Sequence, residues 1–428
     1  MIREFGVENF MSISDRQTIS FESTKDDTAI ELLTREVKSN LRLNKFVILY
    51  GANASGKTNL LYAINTIWVR LLQPAFERKE KIPFYPFALS KDKPTELYIS
   101  FYVGGIRYDY SIKYDQQRIL AEKLEYAPNG VLSLFYNRTY VGEEVKPNIE
   151  FGRTLGLLAK TKNTFSSNTL NNHSVLSTYA KVSVDEDALQ IGLLYNWIKE
   201  HVHNVNGDGD DLMDITKLVL KEEKRHKFIM QSLKDADFNI AKISIEEINN
   251  EIPENIRKQL ATDNDLPDVV KKKLLAEKKE EVVFTHQSSA GNFSLDKRAQ
   301  SAGTLQYFEL LNYLYDMVSD DHIYMFDEIE RGLHYDLLLH LLTVFIMNTN
   351  KSQIIITTQD QQLLNEDFIR RDMIWFAEKV KETAATIVNR ASDFGIHKNA
   401  SLYNAYRTGK LGAKPELGNV FINDTCCD

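Results

Sequence analysis

The sequence predicts an α/β fold in which helices cover a largely parallel sheet. One observation is the segment 51–58, which matches the pattern G-x-x-x-x-G-K-[ST] at every fixed position. An apolar run at 46–50 precedes this loop, and apolar residues at helical spacing follow it over 59–72. A second observation is the alternation of strand and helix patterns over 282–428, which is typical of parallel sheets.

The composition indicates a globular protein without a membrane span. The chain has 428 residues, 43% of them hydrophobic, which is enough for one large domain or two. The net charge of −8 argues against a uniformly basic nucleic-acid binder, although a local basic patch stays compatible with it. No run of about 18 apolar residues occurs, so no helix is expected to cross a membrane.

The two cysteines point to a reducing compartment. Cys426 and Cys427 are adjacent and cannot staple a fold, and the first residues lack the regions of a signal peptide. We therefore expect a cytoplasmic protein. A redox role for the pair is the alternative, and it depends on surroundings that the sequence does not define.

Residues 1–183 are expected to form an N-terminal lobe that contains the loop 51–58 and an antiparallel β subdomain. Residues 2–22 alternate between apolar and polar in two pieces, which indicates a strand pair. Two alternating segments flank Gly104 and Gly105, a strong hairpin signal. The strands predicted in this subdomain are 96–103, 107–114, 120–126 and 132–137.

Residues 184–281 are rich in lysine and glutamate with helical periodicity, and we expect a helical insertion there. The block is too short and too interrupted for a long coiled coil. Its charge runs, such as 221–225 and 271–273, are interpreted as solvated helix faces in preference to DNA contacts.

Histidines and aspartates near the start of this block raise the question of a metal site. His201 and His203 are followed by Asp208, Asp210 and Asp211. Their spacing fits neither a zinc pattern nor an EF-hand, so a plain loop is the preferred interpretation.

Residues 282–428 are expected to form a C-terminal lobe that completes the parallel sheet. The predicted strands are 322–326, 353–358, 373–377 and 385–389, and the predicted helices are 304–318 and 335–347.

The loop 51–58 has the residue types that hold a phosphate. Glycines at 51 and 56 let successive N–H groups point inward, and the following helix adds its positive end. Lys57 is expected to reach the β- and γ-phosphates of ATP, and the Thr58 hydroxyl to ligate Mg²⁺. The alternative, an ordinary glycine-containing turn, fits the strand–loop–helix context poorly. The residues predicted to bind nucleotide in this segment are Gly51, Asn53, Ala54, Ser55, Gly56, Lys57, Thr58 and Asn59.

A pair of carboxylates follows the predicted strand 322–326. Hydrolysis of a bound nucleotide needs a metal anchor and a residue that positions water. Asp327 is expected to hold Mg²⁺ together with Thr58, and Glu328 to orient or deprotonate the attacking water. The alternative is an acidic turn after a buried strand, which the upstream loop disfavours.

Several segments resemble one group of ATPases. Residues 323–334, I-Y-M-F-D-E-I-E-R-G-L-H, resemble the Walker B segment of ABC-type ATPases of the SMC, Rad50, RecF and OLD group. More narrowly, they resemble the bacterial AAA15/AAA21 family, which typically reads D-E-I-E-x-x-L-H. Residues 7–13 resemble that family's start, N-F-x-S-I, and residues 51–58 resemble its G-x-N-x-S-G-K-[ST]. Residues 300–304 resemble its reduced signature, S-x-G-T.

The resemblance extends toward the end of the chain and is poor in the middle. Residues 353–360 stand where the family has its switch segment, T-T-H-D. Residues 401–413 resemble the tail of the RloA/AbiL-type members, which act in abortive phage defence. The resemblance implies an ABC-type ATPase head with an antiparallel β lobe, ATP and Mg²⁺ as cofactors, and a catalytic trio of Glu328, Lys57 and Gln359.

Three positions depart from the family pattern. Ala302 stands where ABC signatures carry glycine, and Thr304 where many carry glutamine or glutamate. Gln359 replaces the switch histidine; glutamine can donate a hydrogen bond to phosphate or water but cannot carry a proton charge. We therefore expect nucleotide binding with slow turnover. The candidates for a Q-loop glutamine are Gln116 and Gln117.

The resemblance also implies partners. In ABC-type ATPases the signature of one head completes the site of another, so Ser301 and Gly303 are expected to contact ATP held by a second copy in a head-to-tail dimer. No acidic cluster resembles the TOPRIM pattern that follows the ATPase in OLD proteins, so the output is expected to lie in a separate effector of an anti-phage system, such as a TOPRIM-type nuclease, or in DNA held by the dimer. The alternatives are a RecF-like repair ATPase that clamps DNA, the ATPase subunit of an ABC transporter, and a pseudo-ATPase scaffold.

Overall fold

The computed structural model describes residues 1–143, 145–205, 212–249, 253–263, 266–267, 271, 278–397 and 400–414. The chain forms two compact units. Unit 1 comprises Met1–Asn206, Asp320–Ile329 and Ile346–Asp428, and unit 2 comprises Gly207–Ser319 and Glu330–Phe345. The predictions about Asp208, Asp210, Asp211, Cys426 and Cys427 lie outside the described residues.

The described strands are β1 (Ile2–Glu8), β2 (Gln17–Ser20), β3 (Thr34–Lys38), β4 (Leu41–Asn44), β5 (Phe46–Tyr50), β6 (Thr95–Val103), β7 (Ile106–Tyr114), β8 (Ile119–Ala127), β9 (Ser133–Thr139), β10 (Asn148–Phe151), β11 (Val202–Val205), β12 (Ile240–Asn249), β13 (Lys278–Ser288), β14 (Gly291–Asp296), β15 (Ile323–Phe326), β16 (Gln353–Thr358), β17 (Ile374–Lys379) and β18 (Thr386–Arg390). The described α-helices are α1 (Ile30–Leu33), α2 (Lys57–Leu72), α3 (Ala159–Asn168), α4 (Leu189–His201), α5 (Leu212–Lys221), α6 (Glu223–Asp235), α7 (Glu254–Thr262), α8 (Ala302–Ser319), α9 (Tyr335–Asn348) and α10 (Leu402–Arg407). Among them, no helix is long and apolar enough to cross a membrane.

A seven-stranded antiparallel sheet forms the β lobe of unit 1, in the order β10-β9-β8-β7-β6-β1-β2. The predicted strand pair at 2–22 and the predicted hairpin are both confirmed. Gly104 and Gly105 make the tight turn between β6 and β7 with φ of 55° and 82°, a conformation that favours glycine at both positions. β10 was not predicted from the sequence.

A buried polar network lies inside this lobe. Arg138 and Glu122 are fully buried, and the guanidinium also donates to the carbonyl oxygen of His173 at 2.8 Å. Burial lowers the pKa of His173 to about 3, and the charges of Lys181 and Arg138 act in the same direction. The His173 imidazole is therefore neutral in the folded protein at neutral pH.

The second sheet of unit 1 has the order β11-β15-β16-β5-β17-β18, and every strand except β18 runs parallel to its neighbours. This confirms the predicted largely parallel sheet. The register pairs Tyr50 with Thr358 and Phe326 with Ile356, so β5, β15 and β16 end at the same edge. The residues that follow these three strands consequently lie close together.

Asn9, which belongs to the family-like segment 7–13, anchors the loop between β1 and β2. Asn9 is buried with φ of 50°, a backbone conformation that asparagine tolerates better than most residues. Its Nδ2 donates to the Lys93 carbonyl at 2.7 Å, and its Oδ1 accepts from Phe87 N at 3.1 Å and from Ser90 Oγ at 2.9 Å. One side chain thus ties the first loop of the chain to the segment that precedes β6.

Unit 2 combines helices with a small antiparallel sheet of order β12-β13-β14. Arg225 of α6 joins it to α8, because its guanidinium donates to Asn312 Oδ1 at 2.7 Å and pairs with Asp316 at 2.7 Å. The predicted helices 304–318 and 335–347 correspond to α8 and α9.

Residues 184–281 do not form the purely helical insertion that was predicted from the sequence. α4 and β11 belong to unit 1, where Ile191, Leu194 and Ile198 join the main hydrophobic core and β11 extends the parallel sheet. Farther along, β12 and the start of β13 are strands. The isoleucines of β12 do not alternate strictly, because a bulge between Ile240 and Lys242 interrupts the strand period, and the surrounding lysine and glutamate favoured the helix.

Candidate nucleotide-binding site

The loop 51–58 is closely enclosed, and two of its residues must be glycine. A Cβ at Gly51 would lie 2.4 Å from the Ala377 carbonyl oxygen, and a Cβ at Gly56 would lie 2.2 Å from Thr386 Oγ1. Gly56 also has φ of 103°, a left-handed conformation that side chains disfavour. The loop therefore depends on glycine for space as well as for backbone conformation.

A set of hydroxyl contacts fixes the back of this loop. Asn59 Nδ2 donates to Ser12 Oγ at 2.7 Å, and Thr386 Oγ1 lies 2.7 Å from the same oxygen and 2.8 Å from the Ser55 carbonyl. The Thr386 N–H donates to the Ser12 carbonyl at 2.7 Å. The start of the chain and β18 thus support the loop together. The sequence motifs had not indicated Thr386, because its role depends on strand position alone.

Lys57 is held inside the loop. Its side chain is buried, and Nζ donates to the carbonyl oxygens of Gly51 at 2.8 Å and Ala52 at 3.1 Å. The ammonium group thus sits within the turn formed by residues 51–57, as expected for a lysine that reaches phosphate oxygens.

Thr58 and Asp327 meet at the end of the parallel strands. Thr58 Oγ1 lies 2.9 Å from Asp327 Oδ2 and 3.1 Å from Oδ1. Hydroxyl and carboxylate oxygens are hard donors of the kind Mg²⁺ prefers, and both side chains are partly accessible. The residues present therefore fit a Mg²⁺ site with room for water and phosphate ligands.

Thr357 is a further residue of the site, and it was not predicted from the sequence. Its buried hydroxyl donates to Asp327 Oδ1 at 2.6 Å and accepts from the Glu328 N–H at 2.8 Å. One oxygen of β16 therefore positions both acidic residues that follow β15. The only sequence signal was a second threonine ahead of the switch position.

Glu328 and Gln359 are brought into direct contact. Glu328 has φ of 48°, an uncommon conformation for a residue other than glycine that is often found at functional sites. Its Oε1 accepts a hydrogen bond from Gln359 Nε2 at 2.6 Å. The predicted water-positioning residue and the predicted switch residue thus form one unit beside Asp327.

The signature residues belong to unit 2, whereas Lys57 and Glu328 belong to unit 1. Ser301 caps α8, since its Oγ accepts from the Thr304 N–H at 3.0 Å. A Cβ at Gly303 would lie 2.5 Å from the Gly332 carbonyl oxygen, so only glycine fits against the loop after Walker B. Arg331 and His334 of that loop are exposed.

The remaining predicted residues lie at the rim of the site. Asn53 and Ala54 are exposed and line a cleft of about 470 Å³ together with residues 377–382 and Lys414. Next to it, the tail motif is anchored by Tyr406, whose ring stacks on Phe376 at 5.5 Å.

The two Q-loop candidates lie in the turn between β7 and β8. The Gln116 carbonyl accepts from Ile82 N at 2.8 Å, and the Gln117 N–H donates to Asp115 Oδ1 at 2.7 Å. Within the described part of the chain, no hydrogen bond joins either glutamine to the loop 51–58, so their assignment stays a prediction.

Comparison with known proteins gives a family and two similar folds. No curated protein matches the chain at a significant level. The crystal structure of the SmcHead bound to the C-winged helix domain of ScpA is similar with a TM-score of 0.38 and 14% identity, over 95% of this chain and 99% of that chain. The SMC head domain from Thermotoga maritima is similar with a TM-score of 0.38 and 11% identity, over 91% and 98%.

The family is shown by a family model. The model described as "AAA domain, putative AbiEii toxin, Type IV TA system" matches residues 46–365, a span that begins at β5 and extends past Gln359. The resemblance to AAA21 is thereby confirmed, whereas the narrower likeness to RloA/AbiL-type members stays a prediction. Because the match spans more than half of the chain, this protein belongs to the AAA21 family of AAA domains.

Proposed function

We propose that this protein binds ATP with Mg²⁺, hydrolyses it slowly, and uses the cycle to control a separate effector in defence against phage. The observation that carries the proposal is the convergence of Thr58, Asp327, Glu328 and Gln359 at one edge of the parallel sheet, where Thr357 links Asp327 to Glu328 and the successive contacts measure 2.6–2.9 Å. These residues come from three separate parts of the sequence. A structural turn would not require all of them.

The loop would hold the triphosphate. Backbone N–H groups of residues 51–58 and the N-terminus of α2 attract the anion, and the Lys57 ammonium would exchange its carbonyl contacts for β- and γ-phosphate oxygens. Mg²⁺, held by Thr58 and Asp327, would neutralise the charge that develops on the phosphate oxygens.

Glu328 would accept the proton of the attacking water. Gln359 donates to its carboxylate and would orient both the carboxylate and the water. Because an amide cannot take up a proton, Gln359 gives only positional help where a histidine would add charge. This is the physical basis for slow turnover.

Two copies would share the nucleotides. The Ser301 hydroxyl and the N–H groups at the start of α8 would contact the γ-phosphate on Lys57 of a second copy, in a head-to-tail pair. Nucleotide that binds the closed pair better than the open one shifts the population toward closure. Arg331, Leu333 and His334 would then lie at the interface.

The biological role is supported by the family. The family is described by a putative AbiEii toxin and a type IV toxin–antitoxin system, which fits a switch in abortive defence. The effector would be a separate toxic enzyme, for which a TOPRIM-type nuclease is the leading choice.

The first test compares wild-type protein with Glu328→Gln and with Glu150→Gln, an exposed glutamate of β10. We expect Glu328→Gln to lose hydrolysis, retain ATP binding and shift to a dimer in light scattering when ATP and Mg²⁺ are added. Glu150→Gln should behave as wild type. Equal turnover of all three proteins would remove Glu328 from the mechanism.

The second test identifies the effector. Tagged Glu328→Gln protein is used for capture from the encoding organism with ATP, and Lys57→Ala serves as the control that cannot close. Enrichment of a toxic enzyme whose activity changes when this protein is added would support the defence switch. Recombination proteins and nuclease-sensitive DNA, with a steep salt dependence of DNA binding, would favour the RecF-like repair clamp.

A further inference from the structure

We propose a divalent transition-metal site at the opposite end of β15 from Asp327, formed by His201, Asp320 and Asp321. Each of these side chains offers one ligand atom, and the three atoms lie within 4.8 Å of one another. In the sequence, His201 is followed closely by other aspartates, whose spacing favoured a plain loop. The aspartates found here are more than a hundred residues away, where α8 leads into β15.

The tautomer of His201 is fixed by its backbone contact. Nδ1 lies 3.0 Å from the Trp197 carbonyl oxygen, which can only accept, so Nδ1 carries the hydrogen. In the neutral ring, Nε2 therefore presents a lone pair. A carbonyl or carboxylate that orients the second nitrogen in this way is the usual companion of a metal-binding imidazole.

The ring is also held on both faces. It stacks on Trp197 with centroids 5.4 Å apart at 8°, and on His322 with centroids 5.0 Å apart at 27°. The side chain is 15% exposed. Only the edge that bears Nε2 is left to meet a ligand, and it faces the two carboxylates.

The carboxylates are positioned by the turn that carries them. Asp320 Oδ1 accepts from the Asp321 N–H at 2.8 Å, which leaves Oδ2 toward the imidazole. Ser352 Oγ donates to the Asp320 carbonyl at 2.8 Å and accepts from the His322 N–H at 3.1 Å. Ser352, which directly precedes β16, therefore holds the turn 320–322 by hydrogen bonds on both sides of Asp321.

The distances between the imidazole nitrogen and the two carboxylate oxygens are slightly longer than those between two ligands of one metal ion. His201 Nε2 lies 3.6 Å from Asp320 Oδ2 and 3.9 Å from Asp321 Oδ1. Both separations are longer than a hydrogen bond but within the distance of an ion pair, so the same geometry fits either a shared ion or a protonated imidazole. Two ligands bound at about 2.0–2.2 Å to one ion lie roughly 3–3.5 Å apart, so the imidazole would have to approach each carboxylate by a few tenths of an ångström to share an ion with it.

The donor set selects the metal. One imidazole nitrogen and two carboxylate oxygens suit Zn²⁺ or a neighbouring first-row ion, whereas Mg²⁺ rarely takes imidazole. Next to the site, His203 Nε2 and His322 Nδ1 are 3.1 Å apart, a contact in which one ring must accept. At least one of these two imidazoles therefore has no proton on its contact nitrogen. The two histidines beside the site are consequently not both positively charged.

The site is independent of the proposed ATPase. His322 and Asp327 flank β15 at its two ends, five residues apart, which corresponds to about 16 Å along a strand. Metal binding at His201 can therefore be measured without nucleotide.

The experiment titrates the metal-free full chain with Zn²⁺ by calorimetry, in excess Mg²⁺ that competes at Thr58 and Asp327. We expect one Zn²⁺ per chain and a higher melting temperature with Zn²⁺. His201→Ala and the isosteric Asp320→Asn should weaken binding at least about tenfold. His226→Ala, which removes a histidine from α6 in unit 2, should bind as wild type.

Three results would overturn the proposal. The first is the absence of stoichiometric Zn²⁺ binding. The second is wild-type affinity in a folded Asp320→Asn variant, whose fold is checked by near-ultraviolet circular dichroism. The third is an imidazole NMR titration in which His201 Nε2 carries a proton at pH 8 in saturating Zn²⁺. That outcome would leave an ordinary ion pair with the two aspartates.

Discussion

Replacement of Thr357 by valine tests the two contacts that position the acidic pair. The valine side chain has nearly the same shape, so the change removes the hydroxyl without a cavity. Two hydrogen bonds are lost, one to Asp327 Oδ1 at 2.6 Å and one from the Glu328 N–H at 2.8 Å. Serine at this position keeps the oxygen and serves as the matched control.

The expected effect follows from the hydrogen bond to the charged group. Such a bond contributes about 1.5–3 kcal/mol, and the unpaired Glu328 N–H adds a penalty of its own. If about 1.4–2.8 kcal/mol of this is lost in the transition state, hydrolysis falls roughly 10- to 100-fold. We expect Thr357→Ser to stay within about threefold of wild type, because the contacts that orient Glu328 persist.

The assay is single-turnover release of γ-phosphate from bound ATP with Mg²⁺, with nucleotide affinity measured separately. Thr357→Val should bind ATP and hydrolyse it slowly. Valine and serine variants that hydrolyse at the same rate would refute the reasoning, since the hydroxyl would then contribute nothing to Glu328.

Three further predictions concern other parts of unit 1. Gly56→Ala should abolish binding of a fluorescent ATP analogue and destabilise the fold by at least about 2 kcal/mol in a thermal melt, because the new Cβ would lie 2.2 Å from Thr386 Oγ1. Thr58→Val should raise the Mg²⁺ concentration needed for ATP binding at least about tenfold in a Mg²⁺ titration, because a ligand is lost. The buried His173 binds a proton only below about pH 3 in the folded chain but near pH 6.5 in the unfolded chain, so stability falls as the pH drops below 6.5. His173→Gln should reduce that loss by about 2 kcal/mol between pH 6.5 and 5 in urea titrations, and an unchanged acid slope would contradict the assignment.

The loop 51–58 and the pair Asp327 and Glu328 could be recognised in the sequence because each consists of adjacent residues of characteristic types. A phosphate loop needs fixed residue types at four positions within eight adjacent residues, and the strand before it is apolar throughout. Likewise, Asp327 and Glu328 follow directly after four buried residues. Local sequence and local structure agree there.

Residues whose contacts depend on which strands lie side by side could not be predicted from the sequence. Thr357 and Thr386 gain their partners only because β16 lies beside β15 and because β18 reaches the loop 51–58. β11 was missed for a related reason. Its four residues include His203 and Asn204, which carry no strand pattern, and the pairing with β15 forms it.

The contact between Ser12 and Thr386 joins residues that are 374 positions apart in the chain. Contacts of such high sequence separation form late, because the entropy of closing the intervening chain must first be overcome. During synthesis, a chain that has emerged only as far as β17 contains the whole loop 51–58 but not the strand that supports it. The proposed capacity to hold a nucleotide is therefore expected to depend on the docking of β18, whose Thr386 contacts the Ser55 carbonyl of the loop.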